Sequence, residues 1–373
     1  MPTTQPSTQN LGSTRSLTAL LEQTSGFSLA REASRTLSAL SIQGLSGGGK
    51  SMFLAAWLQE ITTPSAVITY SDERARQIAD DLRALIDPEA ADRLTRRVLH
   101  FPSTASALYD GVTPDPETVA ERMLVLDRLC AGEPLVVVAS VNAAVTLTMP
   151  RALFVANRVQ LERGSGWDRD LLGWQLAELG YERVDLVDDV GQYSVRGGIV
   201  DVSPPTVELP VRVELFGDEV DTIRFFEPNT QRSVETIARI GIGPASEVIL
   251  EKQAVARALP QIKLAYRKEL DVLNEAGKAR EARHLSERME QDLGDLQKLR
   301  PTPSLVHYLP YLYDERQTFL DYLPPDAALV IDEPVRVKAG AEQFEADVAD
   351  SHRRGVKLGR HLRLGQTACL SFA

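Results

Sequence analysis

The spacing of apolar residues divides the chain into regions of different character. From Leu17 to about Pro150 short apolar runs alternate with amphipathic stretches. Residues 38–43 read as a strand entering a glycine loop, followed by a helix over 51–60. Residues 66–70 and 98–101 read as strands, with a helix over 75–86 between them. The unbroken run LVVVA at 135–139 has the pattern of a parallel strand buried on both faces. Strands separated by helices predict an α/β sheet with crossover helices.

Between about residues 153 and 242 the pattern becomes α+β. A helix is expected over 168–179, with Asp168 as N-cap and Gly180 as its stop. Tyr193 to Val195 and Ile199 to Val202 are short β-prone runs joined through Arg196, Gly197 and Gly198, a hairpin signal because glycine supplies positive φ. Val211, Val213 and Leu215 then alternate with Arg212, Glu214 and Phe216, so strand geometry sends the two sets to opposite faces. Ile223 and Phe225 are placed to cover the same core as the first set. Phe216 therefore falls on the charged face. Two readings fit: a solvated face with Phe216 tucked under a loop, or an exposed Arg/Phe recognition patch of the kind that dominates binding hot spots.

Residues 251–300 are charged and helical, with Leu285, Met289, Leu293 and Leu296 forming an apolar stripe that reads as core. Leu329 to Glu333 reads as a buried strand ending in two carboxylates. After about Ala349 the pattern is that of a linker entering another domain, as expected of a piece of a longer protein.

Length and composition narrow the function. A chain of 373 residues, 43% hydrophobic, is large enough for two or three packed domains. A net charge of −11 argues against broad nonspecific DNA binding, which requires many phosphates to be neutralised. Cys130 and Cys369 are the only cysteines, giving neither a disulfide framework nor a zinc site, as expected of a reducing cytoplasm. Residues 1–14 are polar and Pro/Ser/Thr-rich, a disordered tail rather than a signal peptide. No apolar run is long enough to span a membrane. His100, His284, His307, His352 and His361 show no metal spacing, and no catalytic set emerges.

The sequence from Gly44 to Ser51, GLSGGGKS, satisfies the P-loop pattern GxxxxGK[ST] between an expected strand and helix. In such a loop Gly44 and Gly49 leave backbone N–H groups free to cradle phosphates, Lys50 reaches the terminal phosphates and Ser51 ligates magnesium. Asp332 and Glu333 are similar to the acidic helicase motif, which orients magnesium and water. ATP with Mg2+ is thus a candidate ligand, with no cofactor required. Hydrolysis is not expected of this chain alone, because charge compensation by an arginine from a second motor lobe is missing.

The run YSVRGGIVDVSPP, followed by LPVRVELFGDEVDTIRFFEPNTQRS, resembles the shared hallmark of UvrB and of the amino-terminal region of the bacterial transcription-repair coupling factor family, Mfd. Phe101 and Pro102, then Leu108, Tyr109 and Asp110, Pro114 and Arg122, resemble another Mfd landmark. The resemblance spans roughly residues 40 to 340, and the long damage-gripping hairpin and second helicase lobe of UvrB have no counterpart here. It implies an α/β fold: a RecA-like P-loop parallel-sheet domain, like UvrB domains 1a and 1b, interrupted by a small α+β UvrA-binding domain. The corresponding division is a tail at 1–14, α/β parts at 15–152 and 244–349, the α+β domain at 153–243, and a linker or following domain at 350–373. By motif, Arg196, Arg212 and Phe216 are implied to bind UvrA, the arginines through carboxylates and Phe216 as an apolar anchor. Partners implied for a full-length protein are RNA polymerase and double-stranded DNA, with a carboxy-terminal domain able to mask the docking face; no membrane partner is implied. The rival reading is a UvrB-like ATP-binding or ATPase damage-recognition subunit. The Mfd loop is commonly degenerate, a pattern from which this chain departs by keeping Lys50 and Ser51.

Overall fold

Helix α1 (Ser25–Thr36) has Thr24 as its N-cap, and α2 (Gly48–Gln59) follows the glycine loop. The structure is a computed structural model that describes residues 18–19, 21–90, 94–105, 114–300, 305–363 and 369–370. The tail expected at 1–14, and Leu108, Tyr109 and Asp110, lie outside the described residues.

Strand β1 (Ser65–Thr69) leads into α3 (Asp72–Ile86), which starts where Ser71 accepts from the Arg74 N–H. Strand β2 (Val98–Phe101) precedes α4 (Pro116–Cys130), which has Asp115 as N-cap and proline in its first turn. The run expected to be buried on both faces becomes β3 (Val136–Ser140), every residue of which is buried. All three strands are parallel, with β3 between β1 and β2. One side of this sheet packs Val67, Val136 and Val138 on Leu58, Ile78 and Leu82. The other sets Ile68, Val137 and Phe101 among Met123, Leu126 and Leu129. Each such side chain contributes roughly 1.5–3 kcal/mol by leaving water.

The small β-rich region starts with β4 (Val159–Glu162) and α5 (Arg169–Glu178), where Asp168 accepts from the Leu171 N–H as expected. Its main sheet holds β5 (Glu182–Arg183), β6 (Gln192–Arg196), β7 (Ile199–Val202), β8 (Val211–Phe216), β9 (Glu219–Phe226) and β10 (Ser233–Ile237), neighbours in that order. All pairings are antiparallel except β5 with β6. β11 (Arg239–Ile242) returns to pair with β4. On the core face Val200, Val202, Val211, Val213 and Ile223 are fully buried, while Leu215 and Phe225 are half-buried against the same core. Gly173 lets α5 sit close, since a Cβ there would lie 3.2 Å from Val195 Cγ2.

Helices α6 (Lys252–Glu275) and α7 (Ala279–Gln297) follow, turning at Gly277 with φ +69°. Leu285, Met289 and Leu296 are buried and Leu293 is half-buried, as the stripe predicts. β12 (Ala328–Ile331) then joins β1 in parallel, and α8 (Pro334–Lys357) follows it.

Three expectations need correction. Residues 38–43 form no strand; they are exposed, with Leu40 and Ile42 alternating with polar residues, and among the described residues no strand is paired to them. The 329–333 run is only partly buried: β12 is an edge strand with Leu329 53% and Ile331 40% exposed, while Asp332 at its end is buried. No linker begins at 350: α8 continues to Lys357, and Ser351, Gly355 and Val356 are buried.

Candidate functional site

Strand register assembles the charged face of the small sheet. Ser194, Asp201, Arg212 and Arg224 are cross-strand partners in one row over β6, β7, β8 and β9. Arg196, Ile199, Glu214 and Thr222 form the next row. The Asp201 side chain is fully buried, and its Oδ1 accepts from Arg212 Nε at 2.7 Å. Its Oδ2 accepts from Arg212 Nη2 at 2.9 Å and from Arg196 Nη2 at 2.7 Å.

Arg212 is held from every side. Nη1 donates to the Gln231 carbonyl at 3.1 Å, Nη2 also reaches Gln231 Oε1 at 3.0 Å, and the guanidinium lies 4.5 Å above the ring of buried Phe226. Gln231 adopts a left-handed backbone, φ +58°, and bonds back to the Pro228 carbonyl at 2.7 Å. The hydrogen bonds from Arg212 to Asp201, opposed by burial and helped by Coulomb attraction to Asp201 and Glu214, raise the arginine's pKa. Only 14% of the Arg212 side chain is exposed, against 47% for Arg196. Phe216 is 85% exposed, so it is not tucked under a loop.

Arg196 and Phe216 flank the β6–β7 turn. Gly197 takes φ +59°, and the Leu215 N–H donates to the Gly198 carbonyl at 2.7 Å. A Cβ at Gly198 would meet the Leu215 carbonyl oxygen at 2.8 Å, so the close approach requires glycine. The same end of the sheet therefore presents a half-free guanidinium and an exposed aromatic ring, a combination able to engage a carboxylate beside an apolar pocket.

The glycine loop brings together only part of a phosphate site. Gly44 and Gly47 have φ of +86° and +51°, and Gly49 and Lys50 lie in the first turn of α2. Lys50 Nζ contacts Asp332 Oδ1 at 2.6 Å and Glu333 Oε1 at 2.7 Å, and Arg74 Nε reaches Asp332 Oδ2 at 3.3 Å. Burial opposes the Lys50 charge, but hydrogen bonds and attraction from both carboxylates outweigh it and raise its pKa. The hydrogen bond from Lys50 lowers that of Glu333. Ser51 departs from the expected role: it is buried, and its hydroxyl donates to Asp81 Oδ2 at 2.6 Å. As arranged, Lys50 and Ser51 are both engaged by carboxylates, so a magnesium nucleotide would require Lys50 to leave Asp332 and Glu333 and Ser51 to leave Asp81.

Sequence spacing also missed a histidine cluster. His307, His352 and His361 lie with ring centroids 4.2 to 6.4 Å apart, although no group among the described residues is arranged to hold a metal. Burial first, then neighbouring positive or titratable groups, lowers His307 to about 3 and His361 to about 4. Among the described residues no helix is long and apolar enough to cross a membrane.

Residues 159–248 match the family model of the UvrB interaction domain. The chain is similar to the transcription-repair-coupling factor of Bacillus subtilis, 35% identical over 309 residues, covering 83% of this chain and 25% of that protein. The Myxococcus xanthus transcription-repair-coupling factor is 35% identical over 246 residues, covering 62% of this chain and 20% of its own length. The UvrABC system protein B of Acinetobacter baylyi is 29% identical over 302 residues, covering 78% of this chain and 45% of the relative. The chain thus spans a quarter or less of the two coupling factors and under half of the UvrB protein.

Proposed function

Because this chain carries the UvrB-homology module shared by transcription-repair coupling factors and UvrB, we propose that it docks UvrA and so recruits nucleotide excision repair to RNA polymerase stalled at DNA lesions. The observation that carries this reading is Phe216, 85% exposed at the end of the sheet that also presents Arg196. Arg196 engages a UvrA carboxylate, Phe216 fills an apolar pocket, and Arg212 supports the face from behind. The work is done by protein binding in the cytoplasm. Polymerase contact, translocation on double-stranded DNA and masking by a carboxy-terminal domain belong to the longer protein of which such a module is part. The domain division at 153–243 and a RecA-like body around the parallel sheet complete the proposal.

Titration of UvrA with the wild-type chain, Arg196→Ala and Phe216→Ala tests it. Each variant is expected to bind about tenfold or more weakly while remaining folded. Full affinity in both folded variants would sink the docking reading.

A second reading is favoured by one observation, the meeting of Lys50 with Asp332 and Glu333. It is ATP binding at the glycine loop with Ser51 turned away from Asp81. Saturable Mg-ATP binding that Lys50→Ala abolishes, with turnover measured with and without DNA, would support the ATPase alternative; absence of binding would leave the cluster as an ion-pair lock.

A further inference from the structure

Asp201 is absent from the motif-based docking set, yet it touches both arginines in that set. Its side chain is fully buried and takes three charge-assisted hydrogen bonds, two from Arg212 and one from Arg196. A buried carboxylate is stable only with such donors. The two arginines meet it differently. Arg212 commits Nε, Nη1 and Nη2 inside the sheet and stacks on Phe226, so its fork has no outward role. Arg196 commits Nη2 to Asp201 and leaves 47% of its side chain exposed.

An unrestrained arginine loses rotamer freedom when it docks, and a restrained one loses less. A single anchoring bond at one corner of the guanidinium restrains Arg196 while leaving the rest of the fork available to a partner. Arg212, bidentate on the same carboxylate, fixes both Asp201 oxygens and so fixes where Arg196 is held.

We infer that Asp201 is a positioning residue for docking, holding Arg196 toward the partner's carboxylate, and that Arg212 acts through Asp201 rather than by touching the partner. The inference rests on the UvrA-docking reading above.

A double-mutant cycle in the full chain tests it, with UvrA as the titrant and urea unfolding as the fold control. Asp201→Asn keeps the side chain's shape and removes its charge; it should weaken binding by about fivefold to tenfold. Arg196→Ala with Asp201→Asn should bind no more weakly than Arg196→Ala alone, whereas the losses from Phe216→Ala and Asp201→Asn should multiply. A purely structural role for Asp201 would lower binding equally with or without Arg196, and that result overturns the inference. So does wild-type affinity in folded Asp201→Asn. If Asp201→Asn does not fold, Arg212→Lys makes the same test: it should weaken binding with Arg196 present and have no effect in the Arg196→Ala background. A further loss in that background would show direct contact by Arg212 and overturn the claim. Failure of the wild-type chain to bind UvrA removes the docking reading itself; normal binding with Phe216→Ala weakened and Asp201→Asn unchanged removes only the positioning role.

Discussion

Arg212→Ala leaves buried Asp201 with Arg196 as its remaining cationic partner, and breaking a buried pair from one side is strongly destabilising. A loss of about 2 to 4 kcal/mol in urea unfolding is expected. Phe216→Ala should change stability by less than about 0.5 kcal/mol in the same measurement, because its ring is already in water. Binding loss in Phe216→Ala can therefore be read as lost contact, whereas in Arg212→Ala it is entangled with folding. The misplaced Phe216 and the alternation of Arg212 with Val211 and Val213 were legible as strand pattern. Asp201 was not, because its significance depends on cross-strand register, which sets it opposite Arg212. Likewise Ser51 matches a motif, but packing of α2 on α3 gives its hydroxyl to Asp81.

The β6–β7 turn is the element that places Arg196 next to the end of β8. Gly198→Ala forces a Cβ onto the Leu215 carbonyl, and the backbone shift should cost about 1 to 3 kcal/mol, seen as a lowered urea midpoint. At the far end of α8, His352 joins His307 and His361 in an element junction with an acid limit. All three have lowered pKa values, chiefly through burial. Arg288 faces His307 and His361, and Arg360 also faces His361. In the unfolded chain these rings protonate near the ordinary value of 6.5, but in the folded chain His361 waits until about 4 and His307 until about 3. Their stabilising effect is complete above pH 6.5 and is lost as pH falls through that window. Each contributes a slope of up to about 1.4 kcal/mol per pH unit. Urea unfolding at pH 7, 5.5 and 4.5 should show the decline, and His307→Asn should flatten it. Helices α3 and α5 and the stripe on α7 were readable from caps and period, which act locally. The edge position of β12 was not, since a run of apolar residues does not say how many neighbours it has.

Across the whole molecule, Arg122 joins α4 to the segment leaving the small β region. It is fully buried, pairs with Glu247 through two nitrogens, donates to the Pro102 carbonyl at 2.6 Å and lies 4.0 Å over the Phe101 ring. Glu247 also accepts from Thr148 Oγ1 at 2.9 Å. Arg122→Ala strands this carboxylate and should lower stability by about 3 to 5 kcal/mol, measured by urea unfolding. Sequence alone identified the alternation of α/β with α+β segments, the hairpin at Gly197, and the Arg/Phe pattern, because period, caps and turns are written in neighbouring residues. Tertiary structure decided which arginine faces solvent, which hydroxyl is buried, which strand lies at an edge and which histidines meet. Those outcomes depend on register and packing between residues as distant as Arg122 and Glu247 or His307 and His352, where the free energy of a side chain is set by neighbours that its own segment does not contain.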